Sequence, residues 1–166
     1  MSITDITIVI TSFKSDKIIR NCLNSIDRQY QIILVENSND LELKKSVERE
    51  FSNVECILTG KNFGYGKANN IGLKKVNTTY ALILNPDATL HKNTLENFFE
   101  AIKQVSGFAI MAPYVQEKKD ENKKIDNKSS HPILVKNVKG FAMFLNMPEF
   151  QDVGFFDEIF FFILKK

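Results

Sequence analysis

The chain has 166 residues and a mass of 19.0 kDa, enough for one domain with a sizeable core. Twenty-two basic and twenty acidic residues leave a formal charge of +2, which argues against a nucleic-acid groove or an anionic membrane surface. Two cysteines with no CxxC or Cys/His cluster argue against structural disulfides and zinc, and no run of about 18 apolar residues suggests a signal peptide or a membrane span, so the cytoplasm is the expected address.

The β-branched run at 6–10 is expected as a central strand, ending in the polar pair Thr11-Ser12. A helix follows, capped by Ser15, with Ile18, Ile19, Cys22, Leu23 and Ile26 spaced as an apolar stripe. The second strand, 32–35, closes in Glu36-Asn37-Ser38-Asn39-Asp40, a cluster that also supplies an N-cap for a helix with Leu43, Val47 and Phe51 on one face. A third strand at 54–58 leads into the glycine-rich segment 60–72, and helix is expected to resume near Lys67 and run to about Val76.

The fourth strand, 80–84, is stopped abruptly by Asn85-Pro86-Asp87. Pro86 has no N–H for a sheet ladder, so pairing should end there and leave the Asp87 carboxylate clear. One acid on a stiff turn suits a Mg²⁺-like cation shared with a substrate phosphate; an Asx-type turn capping the next segment explains the same residues. Asn93 with Glu96 predicts a capping box on a helix carrying Leu95, Phe98, Phe99 and Ile102, which Gly107 stops. A strand at 108–112, a charged mobile loop at 116–130, strands at 134–138 and 141–145 joined near Gly140, and a helical turn at 148–153 complete the series.

Strand and helix alternate through residues 6–112, which predicts a Rossmann-like, mainly parallel α/β sheet with helices on both faces. Such a sheet gathers the polar strand ends on one rim, where a nucleotide-type ligand binds. Gly64-Tyr65-Gly66-Lys67 can bring backbone N–H groups and an ammonium to a phosphate, or simply start a helix; Glu36 can accept from a base or ribose, or cap a helix. His91 and His131 are expected to be exposed, and Cys22 and Cys56 to be buried thiols.

The blocks Thr11-Ser12-Phe13, Val35-Glu36-Asn37-Ser38, Asn62-Phe63-Gly64-Tyr65-Gly66 with Asn69-Asn70-Ile71-Gly72, Leu84-Asn85-Pro86-Asp87, Gly140-Phe141-Ala142 and Val153-Gly154-Phe155-Phe156-Asp157-Glu158 resemble, in order, the family-two glycosyltransferases of GT-A fold, closest to the rhamnosyltransferase-like branch. The resemblance implies one GT-A domain over 1–166, with a nucleotide-binding part at 1–112 and an incomplete acceptor-side part at 113–166. It implies inverting transfer from a nucleotide-diphosphate sugar, dTDP-rhamnose or a UDP-hexose, with Mg²⁺ or Mn²⁺, to a saccharide or lipid-linked saccharide during surface polysaccharide assembly. By the same resemblance Asp87 is the metal-binding acid of a DXD-like motif whose first position is Asn85. Thr11, Ser12, Glu36 and Asn37 line the nucleoside pocket, with Glu36 in place of the usual Asp. Asn62, Gly64, Lys67 and Asn70 lie near the ribose and diphosphate, and Gly140 to Ala142 form the wall near the sugar.

In that family a Glu-Asp pair follows the Phe-Asp-Glu block and its Asp acts as general base, whereas here the place reads Ile163-Leu164-Lys165-Lys166. An ammonium cannot accept a proton, and a general base contributes on the order of 10²- to 10⁴-fold. The expectation is therefore a domain cut short, with Asp157 as the candidate catalytic base and a non-catalytic donor-binding remnant or assembly subunit as the alternative. The aromatic run from Phe155 to Leu164 is expected to be exposed and to mediate self-association; the expected cytoplasmic address extends to the inner face of the cell membrane.

Overall fold

In the computed structural model, residues 5–114 and 131–159 are described. The expected loop 116–130 and the end of the aromatic run, from residue 160, lie outside them. Among the described residues the order is β1 (Ile6–Ser12), α1 (Ile19–Asn24), β2 (Gln31–Glu36), α2 (Leu41–Glu50), β3 (Val54–Leu58), α3 (Tyr65–Leu73), β4 (Tyr80–Leu84), α4 (Thr94–Ile102), β5 (Ile110–Met111), β6 (Ala142–Asn146) and α5 (Met147–Val153). The strands form one sheet in the order β3-β2-β1-β4-β6-β5. The first four pair in parallel, and β6 runs antiparallel between β4 and β5.

Alternation along the strands divides the core in two. Ile6, Ile8 and Ile10 of β1 meet Cys22 and Leu23 of α1, Val47 of α2 and the Phe98 and Phe99 rings of α4 on one face. Val9, Ile33 and Val35 meet Ala68 and Leu73 of α3 and Phe150 of α5 on the other. The excess of phenylalanine is largely structural: the fully buried Phe144 ring stacks at 4.8 Å on Phe98 and at 5.2 Å on Tyr80, with Phe99 edge-on at 6.0 Å. Helix α3 lies close on the sheet because Gly72 has no side chain; a Cβ there would stand 2.5 Å from Val9 Cγ1.

The structure revises several local expectations. Ser15 does not cap α1 with its side chain: its carbonyl accepts from Ile18 and Ile19, while its hydroxyl donates back to Phe13 O. The Asn93 and Glu96 capping box does not form, since Asn93 makes no side-chain cap bond. The cap of α2 does form, through Asp40, whose carboxylate accepts from Leu43 N–H at 2.8 Å. Helix α3 begins at Tyr65 rather than Lys67 and stops at Leu73. The strand expected at 108–112 is reduced to two residues, Ile110–Met111, and no strand forms at 134–138, where Leu134 and Val135 are exposed. Phe155 and Phe156 are half-buried on the Phe150 ring, at 5.9 and 5.6 Å, so the start of the aromatic run is covered within the chain instead of exposed. Cys22 and Cys56 are free and buried, and His91 and His131 are exposed, as expected.

Candidate functional site

The carboxyl ends of β1, β2 and β4 and the amino end of α3 open onto one cleft of about 360 Å³. Of the residues expected there, Thr11, Asn37, Asn62, Gly64, Asn85 and Asp87 line it. Phe13, Ser15, Ile18, Tyr65 and Pro86 complete its walls and were not assigned as site residues from sequence. Phe13 and Ile18 are about 40% exposed, so apolar side chains face solvent where the other wall is polar.

Asn37 organises the wall above β2. It is buried, with Nδ2 donating to Asn62 Oδ1 at 3.0 Å and to the Gly64 carbonyl at 3.3 Å, and Oδ1 accepting from Phe63 N–H at 3.0 Å. Gly64 holds φ at +79°, a left-handed value that glycine adopts freely, and this lets the chain turn from the Asn62 loop into α3. From α3 the fully buried Asn69 reaches β1, accepting from the Thr11 hydroxyl at 3.0 Å and donating to the Tyr65 carbonyl at 2.9 Å. The Tyr65 hydroxyl donates to Gly140 O at 2.5 Å, and burial pushes its pKa up to about 12, so it stays an O–H donor at neutral pH.

The turn that presents Asp87 is fixed at three points. Asn85 N–H donates to the Phe141 carbonyl at 2.8 Å, and the Asn85 carbonyl accepts from Ala88 N–H at 3.1 Å and from the Cys22 thiol at 3.6 Å. Burial, and then the nearby Asp87 charge, raise the Cys22 pKa to about 12, so this thiol keeps its proton. Asp87 itself is exposed, and among the described residues no hydrogen bond or salt bridge engages its carboxylate. No group of three or more His, Cys, Asp or Glu side chains that could hold a metal by itself exists among the described residues. A lone, unengaged carboxylate in an open polar cleft fits a hard divalent cation that draws its remaining ligands from water and a diphosphate, and does not fit a closed protein cage.

Ser12 and Glu36 lie beneath the cleft rather than on its surface. They are paired neighbours across β1 and β2, and each keeps one buried side-chain oxygen without a hydrogen-bond partner. Glu36 bonds Ser38 through its other oxygen, and Asn85 Oδ1 is likewise buried and unpartnered. Unmet polar capacity gathered at one rim is costly, and it concentrates where a ligand is missing or a side chain must move.

Two other expected donor residues are turned elsewhere. Lys67 pairs with Glu158 at 3.1 Å, and Asn70 holds the Phe156 backbone from both sides, Nδ2 to the carbonyl at 2.8 Å and N–H to Oδ1 at 3.1 Å. The Asn70 amide and the Lys67 ammonium together hold the Glu158 carboxyl below the usual carboxylate range. Asp157 does not line the cleft; its exposed carboxylate accepts from Ile159 N–H at 2.8 Å. The sequence carried a signal for Glu158, an acid in a quoted block, but nothing to say that α3 would supply its partners.

Comparison with known proteins follows the same lines. The family model of glycosyl transferase family 2 matches residues 7–165. A low-salt glycan biosynthesis hexosyltransferase, Agl10, of Haloferax volcanii is 28% identical over 115 residues, 67% of this chain and 36% of that protein. A teichoic acid poly(glycerol phosphate) polymerase of Staphylococcus epidermidis is 27% identical over 116 residues, 65% of this chain and 16% of that protein. The chain thus spans about a third and about a sixth of these relatives. Among solved structures, S. aureus TarS 1-349 in complex with UDP-GlcNAc aligns with a TM-score of 0.68 at 16% identity, over 91% of this chain and 48% of that one. The mannosyltransferase PcManGT of Pyrobaculum calidifontis, in complex with GDP-Man and Mn²⁺, aligns at 0.69 and 13%, over 93% and 48%. At such identities the two structures speak to the fold, and the fold they share with this chain is GT-A.

Proposed function

The chain belongs to glycosyl transferase family 2, and from that premise we propose that its cleft binds a nucleotide-diphosphate sugar with Mg²⁺ or Mn²⁺ for inverting transfer to a saccharide or lipid-linked saccharide acceptor in surface polysaccharide synthesis. The observation that carries this is the convergence of strand-end turns around one unengaged carboxylate: Thr11, Asn37, Gly64 and Asp87 line the same cleft. In this reading Phe13 and Ile18 offer an apolar surface to the base, and Thr11 and the Asn37–Asn62 pair face the nucleoside. Ser12 and Glu36 supply unmet acceptors below it, and Asp87 holds the metal. The metal, when bound, supplies positive charge that stabilises the departing diphosphate. The backbone of the Asn62 to Tyr65 turn and the Gly140 wall fix the donor's position.

The finer assignments belong to the same proposal. A hexose donor is supported by the name of the Haloferax relative and a UDP donor by the TarS complex, while dTDP-rhamnose follows from the sequence resemblance alone. Work on the cytoplasmic side of the membrane accords with there being, among the described residues, no helix long and apolar enough to cross one.

Calorimetry with UDP and dTDP, with and without Mn²⁺, tests the reading. Metal should tighten binding of one nucleotide at least tenfold, and Asp87→Ala should abolish that gain while leaving the metal-free affinity in place, as expected when about 1.4 kcal/mol or more of charge interaction is removed. Binding of neither nucleotide, or equal metal enhancement in the variant, would falsify it.

One observation favours a second reading, donor binding without transfer. The Asp157 carboxylate is occupied by its own turn, and among the described residues Asp87 is the only carboxylate lining the cleft. Radiolabelled sugar that binds yet never reaches acceptor or water selects the second reading; label in acceptor selects the first.

A further inference from the structure

Tyr65 stands between the two ends of the cleft without belonging to either. Its carbonyl is held by Asn69, which also accepts from Thr11 at the β1 end. Its hydroxyl donates to Gly140 O at 2.5 Å, over a sequence separation of 75 residues. The next residue, Phe141, gives its carbonyl to the Asn85 N–H that opens the Asn85-Pro86-Asp87 turn. Hydrogen bonds joined by the covalent frame of Tyr65 and of the Gly140-Phe141 peptide therefore link the nucleoside side of the rim to the turn that carries Asp87.

We infer that Tyr65 is a positioning residue: its hydroxyl sets the Gly140-Phe141 peptide, and through it the Asp87 turn, at a fixed distance from the Thr11 and Asn37 side, so that one nucleotide diphosphate can engage both ends. The inference rests on the donor-site reading above. Two features separate it from ordinary packing. The ring already has an apolar neighbour, lying edge-on to Phe156 with centroids 6.4 Å apart, so the hydroxyl is not needed to anchor the side chain. Burial keeps the phenol protonated far above neutrality, which maintains donation to a carbonyl that can only accept. Without that bond the Gly140-Phe141 segment keeps its hydrogen bond to Asn85 N–H but loses the one to the α3 phenol, and the two ends of the cleft can move independently.

The test compares the unaltered protein with Tyr65→Phe, which retains the ring. UDP and dTDP are titrated with and without Mn²⁺, and amide hydrogen exchange is followed at Asn85 and Ala88. Metal-free nucleotide affinity should fall less than the enhancement given by Mn²⁺, which should drop about three- to tenfold, the range of one hydrogen bond lost from a coupling path. Exchange at Asn85 and Ala88 should quicken, with the thermal midpoint little moved. Equal loss of metal-free and metal-dependent affinity would make Tyr65 a merely structural residue and overturn the inference. So would unchanged exchange and unchanged enhancement together. If the unaltered protein shows no Mn²⁺-enhanced binding at all, the donor-site reading fails and takes this inference with it, an outcome distinct from failure of Tyr65→Phe alone.

Discussion

Replacing Gly72 by alanine tests how tightly the site helix is set on the sheet. The added Cβ would stand 2.5 Å from Val9 Cγ1 and 3.0 Å from Val35 Cγ2, about 0.9 Å short of ordinary contact at the nearer atom. Both valines are fully buried and β-branched, so neither can swing aside without leaving its rotamer. The strain is relieved only if α3 lifts from the sheet by roughly 1 Å. Overpacking of this kind costs about 1–3 kcal/mol, and the contact is close enough to place the cost near the top of that range. Alanine returns at most about 1 kcal/mol through helix propensity, leaving a net loss of about 1–2 kcal/mol. In a domain of this size that corresponds to a thermal midpoint lower by about 2–8 °C. The lift should also stretch the Thr11 to Asn69 bond, now 3.0 Å, and weaken any nucleotide bound at the rim by a few-fold. Thermal and urea unfolding followed by circular dichroism decide the matter. A Gly72→Ala midpoint equal to or above that of the unaltered chain would refute the reasoning, because it would mean the sheet accepts the methyl without displacement.

Asn37→Ala removes four side-chain bonds and leaves Phe63 N–H without its partner; the expected loss is about 2–3 kcal/mol in urea unfolding, with fast amide exchange at Phe63, and retained protection there would contradict the hub role. Cys22 and Cys56 both titrate near 12 in the folded chain against an ordinary value near 9, so the unfolded state loses thiol protons first on the alkaline side. Stability from these thiols is full below pH 9 and is lost from pH 9 towards 12 at up to about 1.4 kcal/mol per pH unit for each, and a Cys22→Ala, Cys56→Ala double variant should flatten the fall of the midpoint between pH 9 and 10.5. A slope unchanged in that variant would assign the alkaline loss to other groups.

Most of the sheet could be read from the chain because its information is local. Five apolar residues before Asn85-Pro86-Asp87 read as a buried strand, and the continuous apolar runs of β1 and β2 read as central strands; that Ser12 and Glu36 stand side by side is set by the pairing register. The convergence at the cleft followed from parallel pairing, which puts every carboxyl end on the same rim. What was hidden was settled by distant partners. The apolar residues at 134, 135 and 138 suited a strand, but a strand exists only where its backbone finds a partner, and a local pattern says nothing of partners; here 134–138 pairs with no strand of the sheet. Lys67 and Asn70 looked like phosphate and ribose contacts when read within their own helix; their actual partners, Glu158 and Phe156, are 91 and 86 residues away. Tyr65 belonged to the Gly64-Tyr65-Gly66-Lys67 turn, but the motif gave its hydroxyl no role; that role depends on Gly140, a residue no local pattern links to α3.

The placement of β6 has a consequence for the order in which the protein is made. Strand β4 acquires β1 as a neighbour as soon as residue 84 has left the ribosome, but its other neighbour, 142–146, is translated about sixty residues later. Throughout that interval the nascent chain carries an open apolar edge, and such edges recruit other chains. The Asn85 N–H also waits for the Phe141 carbonyl, so the acidic turn is the last part of the rim to set during synthesis, after the β1 and β2 ends are in place.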